Sequence, residues 1–361
     1  MTATITRELH VVVPDGIDDA TVPSGGNLYD RRVCNGLAAD GWAVRELPVA
    51  GGWPHPDASA RAALASALAA VPDGAVVLVD GLVACGVPEV VVPAARRLAL
   101  IVLVHLPLGD EVGADPVLAA RERETLFAAT GVVVTSPWAA DRLVAQHGLD
   151  PGRIVVAAPG VDPAPLAPGT DGVSSLLCVG SVTPTKGQDL LVEALAGVAG
   201  RPWRCDLVGP LDRNRAYVAA VREAIARHRL DVRIRLTGPL SGARLAAAYA
   251  AADLLVVPSR AETYGMVVTE ALARGIPVLT TDAGGLPETL GRDPDGGVPG
   301  IVVPAEDIAS FGAALQFWSD YSNLRNGLRR SARMRRGMLH GWEVTSRWLA
   351  GSLERLTGTR G

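Results

Sequence analysis

Lysine is almost missing from this chain: of 34 basic residues among 361, 33 are arginine and the single ammonium is Lys186. A sequence that otherwise uses guanidinium for positive charge has kept one compact point charge. Aromatic residues are scarce at 4%, so the core has to come from aliphatic side chains. Four cysteines (Cys34, Cys85, Cys178, Cys205) lie far apart with no C-x-x-C pair. That spacing excludes a zinc ribbon and argues for buried thiols in a reduced compartment. The six histidines form no H-x-x-x-H pair, and no metal is expected. Asp, Gly and Pro break "AVVLVDGLVACGVPEVVVP" and "LALIVLVHLPLG", so no apolar run reaches the roughly 18 to 20 residues of a membrane span. With no signal-peptide pattern before the first apolar segment, a cytoplasmic location is expected.

What is present has the balance of a globular enzyme, 48% hydrophobic and 20% charged. The length suits two domains of about 150 to 200 residues. Charge divides unevenly: residues 1–165 hold 11 basic and 19 acidic residues, net −8, and residues 166–361 hold 23 and 19, net +4. An anionic ligand is therefore expected on the second half, and nucleic acid or an anionic membrane is a poor partner for the first.

Short Val/Leu/Ile runs alternate with amphipathic helices: "LHVVVPD", "WAVRELPV", "AVVLVD", "LIVLVHL" and "GVVVTS" in the first half. After the Pro/Gly-rich "RIVVAAPGVDPAPLAPGTDG" the pattern restarts with "SLLCVGSV", "RCDLVG", "VRIRLTG", "LLVVPS", "PVLTTD" and "GIVVP". Continuous apolar strands between helices predict parallel sheets covered on both faces. The expected organisation is α/β: two Rossmann-like doubly wound domains, 1–165 and 166–340, and a helix over 341–361 packing back toward the first. Tandem domains of this kind bind ligands at the carboxyl ends of their strands. The Arg-rich stretch from Ser319 onward reads as a solvated helical face.

Lys186 follows a buried strand in "SVTPTKGQDLL". Thr185 and Gln188 have capping-box spacing, which predicts Thr185 at the N-cap and Lys186 in the first helical turn. A cation there is unfavourable unless an anion lies between it and the helix N-terminus, and a phosphate would fit. The plain alternative is an exposed lysine. The segment is no P-loop, because Gly before the lysine and Ser/Thr after it are lacking, and no strand is followed by G-x-G-x-x-G.

The other dense segment is "LLVVPSRAETYGMVVTEALARGIPVLTTDAGGLPETL". A helix is expected from Gly265, with Val267, Val268, Ala271 and Leu272 as its apolar stripe. Glu262 and Glu270, before and within it, are suited to accept hydrogen bonds from vicinal hydroxyls. Taken singly, Glu270 could pair with Arg274 at i,i+4, and Glu262 could compensate the helix dipole. "RDPDGG" reads as a turn, not as a metal motif.

Together these segments resemble retaining glycosyltransferases of family GT4, which have the GT-B fold. "ETYGMVVTEALARGIPVLTTDAGGLPE" is similar to the Glu-x7-Glu block, and "VGSVTPTKG", "LVGP", "LTGPLS", "AAADLLVVPSRAETYG" and "APGVD" match in order. In the first half "PSGGNLYDRRVCNGLAADGW", "VHLPL" and "VVVTSPWAADRL" resemble the glycine loop, the histidine strand end and the last helix.

The resemblance implies a UDP- or GDP-linked sugar donor as substrate and no further cofactor. Glu270 would bind ribose and Glu262 the sugar hydroxyls; backbone amides of Gly265, Met266 and Val267 would hold sugar and diphosphate. Lys186 would grip the phosphates, Gly25 and Gly26 would let backbone approach them, and Leu240 would meet the base. His105 would sit beside the transferred sugar; as a residue alone it reads equally as a hydrogen-bonded strand-end histidine. Ser181 stands where the family often has arginine, leaving Lys186, with help from Arg260, to carry the phosphate charge. The implied reaction is metal-independent front-face transfer with retention, His105, Lys186 and Glu262 being the catalytic residues. A soluble small-molecule acceptor is expected, such as an amine-bearing aminocyclitol or natural-product scaffold, met by Asp18, Asp19, Asp110, Glu111 or Asp115. A sugar-nucleotide epimerase and a non-catalytic nucleotide-sugar sensor are the competing readings.

Overall fold

The computed structural model describes residues 7–19, 21 and 23–358. The chain divides into two compact units, one from residues 7–19, 25–160 and 342–358, the other from 161–341 with 21, 23 and 24.

In the first unit the elements run β1 (Glu8–Pro14), α1 (Gly25–Ala39), β2 (Ala43–Val49), α2 (Ala58–Ala69), β3 (Val76–Asp80), α3 (Gly81–Ala84), α4 (Pro88–Ala95), β4 (Ala99–Val104), α5 (Pro116–Ala128), β5 (Gly131–Val134), α6 (Pro137–His147) and β6 (Ile154–Val156). All sheet pairings are parallel, in the order β2-β1-β3-β4-β5-β6. Strand order reverses between β1 and β3, so the loops leaving their carboxyl ends diverge there. Strands β3 and β5 are buried along their whole length, as two helical layers require. Their Val side chains pack with Leu64, Leu68, Leu126 and Leu143, each contributing roughly 1.5 to 3 kcal/mol by burial. Side-chain caps fix where helices start: Asp57 accepts from the Ala60 amide at 2.8 Å and Ser136 from Ala139 at 3.1 Å.

The second unit runs β7 (Ser175–Val179), α7 (Gln188–Gly197), β8 (Arg204–Val208), α8 (Arg215–Arg227), β9 (Ile234–Gly238), α9 (Gly242–Ala250), β10 (Leu254–Val257), α10 (Met266–Leu272), β11 (Val278–Thr281), α11 (Leu286–Leu290), β12 (Gly300–Val303), α12 (Ile308–Asp320) and α13 (Ser322–Arg335). Its parallel sheet has the order β12-β11-β10-β7-β8-β9, the doubly wound dinucleotide-fold order with its reversal between β7 and β10. Alternation along β7 serves both faces: Leu176 and Cys178 join one core with α7, α8 and α12, and Leu177 joins another with α10 and α11. The final helix α14 (Trp342–Thr357) belongs to the first unit, where Trp342 packs edge-on to Tyr29 with ring centroids 5.8 Å apart. All four cysteines are buried free thiols.

The expectation of a solvated arginine face is corrected in part. In and just after α13, guanidinium groups donate to backbone carbonyls: Arg325 to Trp318 (2.7 Å) and Ser319 (2.8 Å), Arg335 to Leu290 (3.3 Å), Arg336 to Ala164 (2.7 Å), and Arg329 to Gly172. Trp318, Ser319 and Leu290 lie at the carboxyl ends of α12 and α11, where helix carbonyls lack internal partners and the dipole is negative. Arg325 serves both of its carbonyls through one nitrogen, Nη1.

Candidate active site

In the second unit the two loops leaving β7 and β10, which flank the strand-order reversal, carry the expected site residues. The chain from β7 passes Gly180 and Ser181, makes a single 3-10 turn over Pro184–Lys186, and enters α7 through Gly187. Gly187 has φ +69°, and a Cβ there would lie 2.1 Å from the Pro258 carbonyl oxygen. That close approach corrects the expected capping box. Gly187, not Thr185, occupies the N-cap, Lys186 precedes the helix, and no side chain caps it. Thr185 is buried; its carbonyl accepts from the Arg260 amide (2.8 Å), and Gln188 reaches back to the Ser181 carbonyl (3.0 Å). The β7 and β10 loops are thereby tied to one another.

The Lys186 ammonium donates to Glu262 Oε2, the two side chains being 32% and 15% exposed. Gly180 has φ +153°, and a Cβ there would be in ordinary contact with the Lys186 stem at 3.7 Å. Arg260 stands differently from expectation. Its guanidinium is bidentate to Asp189 (2.8 and 2.9 Å) and also donates to the Pro184 carbonyl (2.8 Å). Tyr217 donates to the same carboxylate at 2.5 Å. Burial opposes the charge on Asp189, but Arg260 and Tyr217 prevail and hold its carboxyl below the ordinary value. Arg260 thus braces the lysine turn.

Gly265, left-handed at φ +84°, forms the N-cap of α10 with no capping side chain, so the helix opens on the amides of Met266 and Val267. Val268, Ala271 and Leu272 are buried as expected; Thr269 replaces Val267, which is half-buried. Glu270 makes no surface pair with the Arg274 guanidinium. It accepts from the Tyr249 hydroxyl at 2.6 Å, while Arg274 donates to its backbone carbonyl (2.7 Å) and lies 4.5 Å above the Tyr249 ring. Burial raises the Glu270 carboxyl above its usual value, against the pull of Tyr249 and Arg274. Leu240, just past β9, is half-buried against the core that includes α10.

In the first unit Gly25 and Gly26 open α1. A Cβ on Gly26 would come within 3.1 Å of the His105 ring, so these two expected residues meet. His105, leaving β4, has its Nε2 2.8 Å from Asp30 Oδ1 and 3.9 Å from Asp80 Oδ2. The Tyr29 ring stands edge-on at 5.3 Å, and its hydroxyl donates to the Ala157 carbonyl at 2.8 Å. Burial works against a charged ring here, but the carboxylates of Asp30 and then Asp80 overcome it and push the His105 pKa up to about 9. Burial and the charge of Asp30 push the Asp80 carboxyl up as well.

Asp30 and Asp80 were missed in the sequence, although a signal existed. Asp30 stands with Val33, Cys34 and Leu37 on the buried stripe of α1, and Asp80 ends a fully buried strand. Asp30, Asp80 and His105 are also the one set of three His, Cys, Asp or Glu residues among the described residues whose metal-ligating atoms lie within 4.8 Å of one another. Of the acidic residues expected to meet an acceptor, Asp18 is bidentate to Arg31, Asp110 pairs with Arg142, and Asp115 caps α5 by accepting from Val117 at 3.0 Å.

Comparison with solved structures identifies the class. Sucrose-phosphate synthase from Thermosynechococcus elongatus has a TM-score of 0.80 at 22% identity, over 98% of this chain and 99% of that one. Anabaena HepE, solved with UDP and glucose, has a TM-score of 0.77 at 18% identity, over 97% and 100%. The fold is GT-B, as expected.

Sequence narrows the class to a family. Residues 174–319 match the model of glycosyl transferases group 1. D-inositol 3-phosphate glycosyltransferase 1 of Catenulispora acidiphila is 31% identical over 295 residues, 76% of this chain and 69% of its own length. A D-inositol 3-phosphate glycosyltransferase of Kineococcus radiotolerans is 32% identical over 264 residues, 66% of this chain but only 58% of the relative. The chain belongs to the group 1 glycosyltransferase family. Among the described residues no helix is long and apolar enough to cross a membrane.

Proposed function

We propose that this chain moves a sugar from a UDP- or GDP-linked donor to a small, soluble, polyhydroxylated acceptor, with retention and without a divalent metal at the diphosphate. The observation that carries the reading is the sole lysine, held by Glu262 between the β7 and β10 loops and accompanied by the uncapped start of α10. Lys186 and the amides of Met266 and Val267 would stabilise charge growing on the leaving phosphate, which is electrostatic preorganisation. The acceptor oxygen bonds to the anomeric carbon as the bond from that carbon to the phosphate oxygen breaks, and the acceptor proton passes to the phosphate. Glu262 and Glu270 would take sugar and ribose hydroxyls, and His105 would donate at the transferred sugar.

The relatives named for D-inositol 3-phosphate and the UDP-bound neighbour support a nucleotide sugar and a cyclitol-like acceptor. An amine on the acceptor has less support, since Asp18, Asp110 and Asp115 are engaged within the protein. Purified protein, stripped with EDTA, is incubated with a panel of nucleotide sugars and cyclitols and followed by mass spectrometry and anomeric-proton NMR. Acceptor-dependent release of nucleoside diphosphate with an unchanged anomer supports the reading. An altered sugar still on its nucleotide identifies an epimerase, and binding without turnover a sensor. Preference for a phospholipid over every soluble polyol overturns the acceptor assignment.

A further inference from the structure

We propose that Asp30 and Asp80 are positioning residues for His105: with one proton between them they hold its ring as an imidazolium, so that His105 can only donate hydrogen bonds. This rests on the reading that His105 acts at the transferred sugar.

Hydrogen-bond accounting leads to it. Asp30 is 2% exposed and Asp80 4%, so neither carboxyl can rely on water. Asp30 Oδ1 faces His105 Nε2 at 2.8 Å, while its Oδ2 is buried and receives no hydrogen bond from a permanent donor. One carboxylate oxygen of Asp80, one of Asp30 and a ring nitrogen of His105 all lie within 4.8 Å of one another. Asp80 Oδ1 accepts from the Leu82 amide at 2.6 Å, so its Oδ2 is the oxygen left to carry a proton. Two ionised carboxylates within 4.8 Å of each other in a buried setting repel, and one proton between them removes the conflict. Asp30 then holds the one negative charge and His105 the one positive charge.

Around the His105 ring, from α1 come Asp30, the edge of Tyr29 and the backbone of Gly26; from the end of β3 comes Asp80. Burial raises the Tyr29 phenol far above its usual range, so it stays neutral. Both ring nitrogens of an imidazolium are donors. Such a ring can bind a hydroxyl or phosphate oxygen, and it cannot serve as a base.

The two aspartates make unequal predictions, and that inequality is the test. Asp80→Asn reproduces a protonated carboxyl, offering an amide N–H to Asp30 and an amide oxygen to the Leu82 N–H. Asp30→Asn removes the counter-charge. Imidazole resonances of the full chain are titrated by NMR, with His105 assigned through a His105→Asn variant. The native ring is expected to titrate near pH 9. Asp80→Asn should move the midpoint by less than about one unit, whereas Asp30→Asn should lower the midpoint by about two units. In Asp30→Asn the alkaline limb of kcat/KM should follow the midpoint downward, with activity partly recovered near pH 6. A native midpoint near 6.5, equal damage from both variants, or a saturable shift of the His105 resonances on adding a divalent cation overturns the inference. If the titrations come out as stated but His105→Asn turns over normally, the charge arrangement stands and the role at the sugar fails.

Discussion

The two units place their charged residues in opposite settings. In the first, the cluster around His105 is nearly sealed: both aspartates are buried, and each charge answers another within the unit. In the second, Lys186 and Glu262 are paired but part-exposed, on loops that glycine and Arg260 hold in place. A sealed cluster resists change and sets a protonation state, whereas a part-exposed pair can open and exchange one partner for an anion at modest cost. The first arrangement suits orientation, and the second suits reversible binding of a diphosphate.

The largest break in this comparison is expected at Lys186. Lys186→Ala should lower turnover by about 100- to 1,000-fold, the scale of losing one donor to a developing oxyanion, with circular dichroism unchanged. Lys186→Arg should recover little of it, because a bulky fork cannot take the place of a compact ammonium. Near-native transfer by either variant would remove the phosphate role.

Next comes the brace. Arg260→Ala leaves Asp189 without its bidentate partner and is expected to cost about 1 to 3 kcal/mol by denaturant unfolding. Turnover should fall with it as the Lys186 turn loosens. Arg260→Ala with unchanged stability and a raised donor KM alone would instead place Arg260 on the phosphate.

A smaller effect is expected from pH. The His105 pKa is raised from 6.5 to about 9 on folding, so its stabilising contribution is complete below about pH 6.5 and is lost as pH rises through 9. The raised Asp80 carboxyl has the same sign, because the native state again binds its proton more tightly, but its contribution is lost at lower pH, between about 3.8 and 8. Thermal midpoints of the first unit should therefore decline over the alkaline range, and His105→Asn should flatten the decline. Least of all, Ser181→Arg should tighten donor binding by a few-fold, measured as KM, by adding a second charge near the lysine turn.

Much of the fold was legible because parallel strands buried on both faces leave continuous apolar runs, as "VVLVD" and "LLVV" do. The paired glutamates and the lysine stood out by motif. What failed to show was decided by contacts distant in sequence. Thr185 and Gln188 have capping-box spacing, yet the Pro258 carbonyl, more than 70 residues on, forces glycine into the cap position. Arg260 reads as a free cation until Asp189 is found across from it. Asp30 and Asp80 are 50 residues apart and 75 and 25 from His105, and only the reversal of strand order brings their elements together. The arginines of α13 look solvated until their carbonyl partners at other helix ends are known.

The solitary lysine also makes the protein a natural single-site target for amine-directed reagents. Apart from any α-amino group, an acylating label has one place to react, an amine already engaged by the Glu262 carboxylate. A diphosphate donor seated on Lys186 should slow labelling further, whereas Glu262→Gln should speed it in the free protein. The rate at which one acyl group is added, followed by mass, would then read donor occupancy directly, without turnover and without any introduced probe.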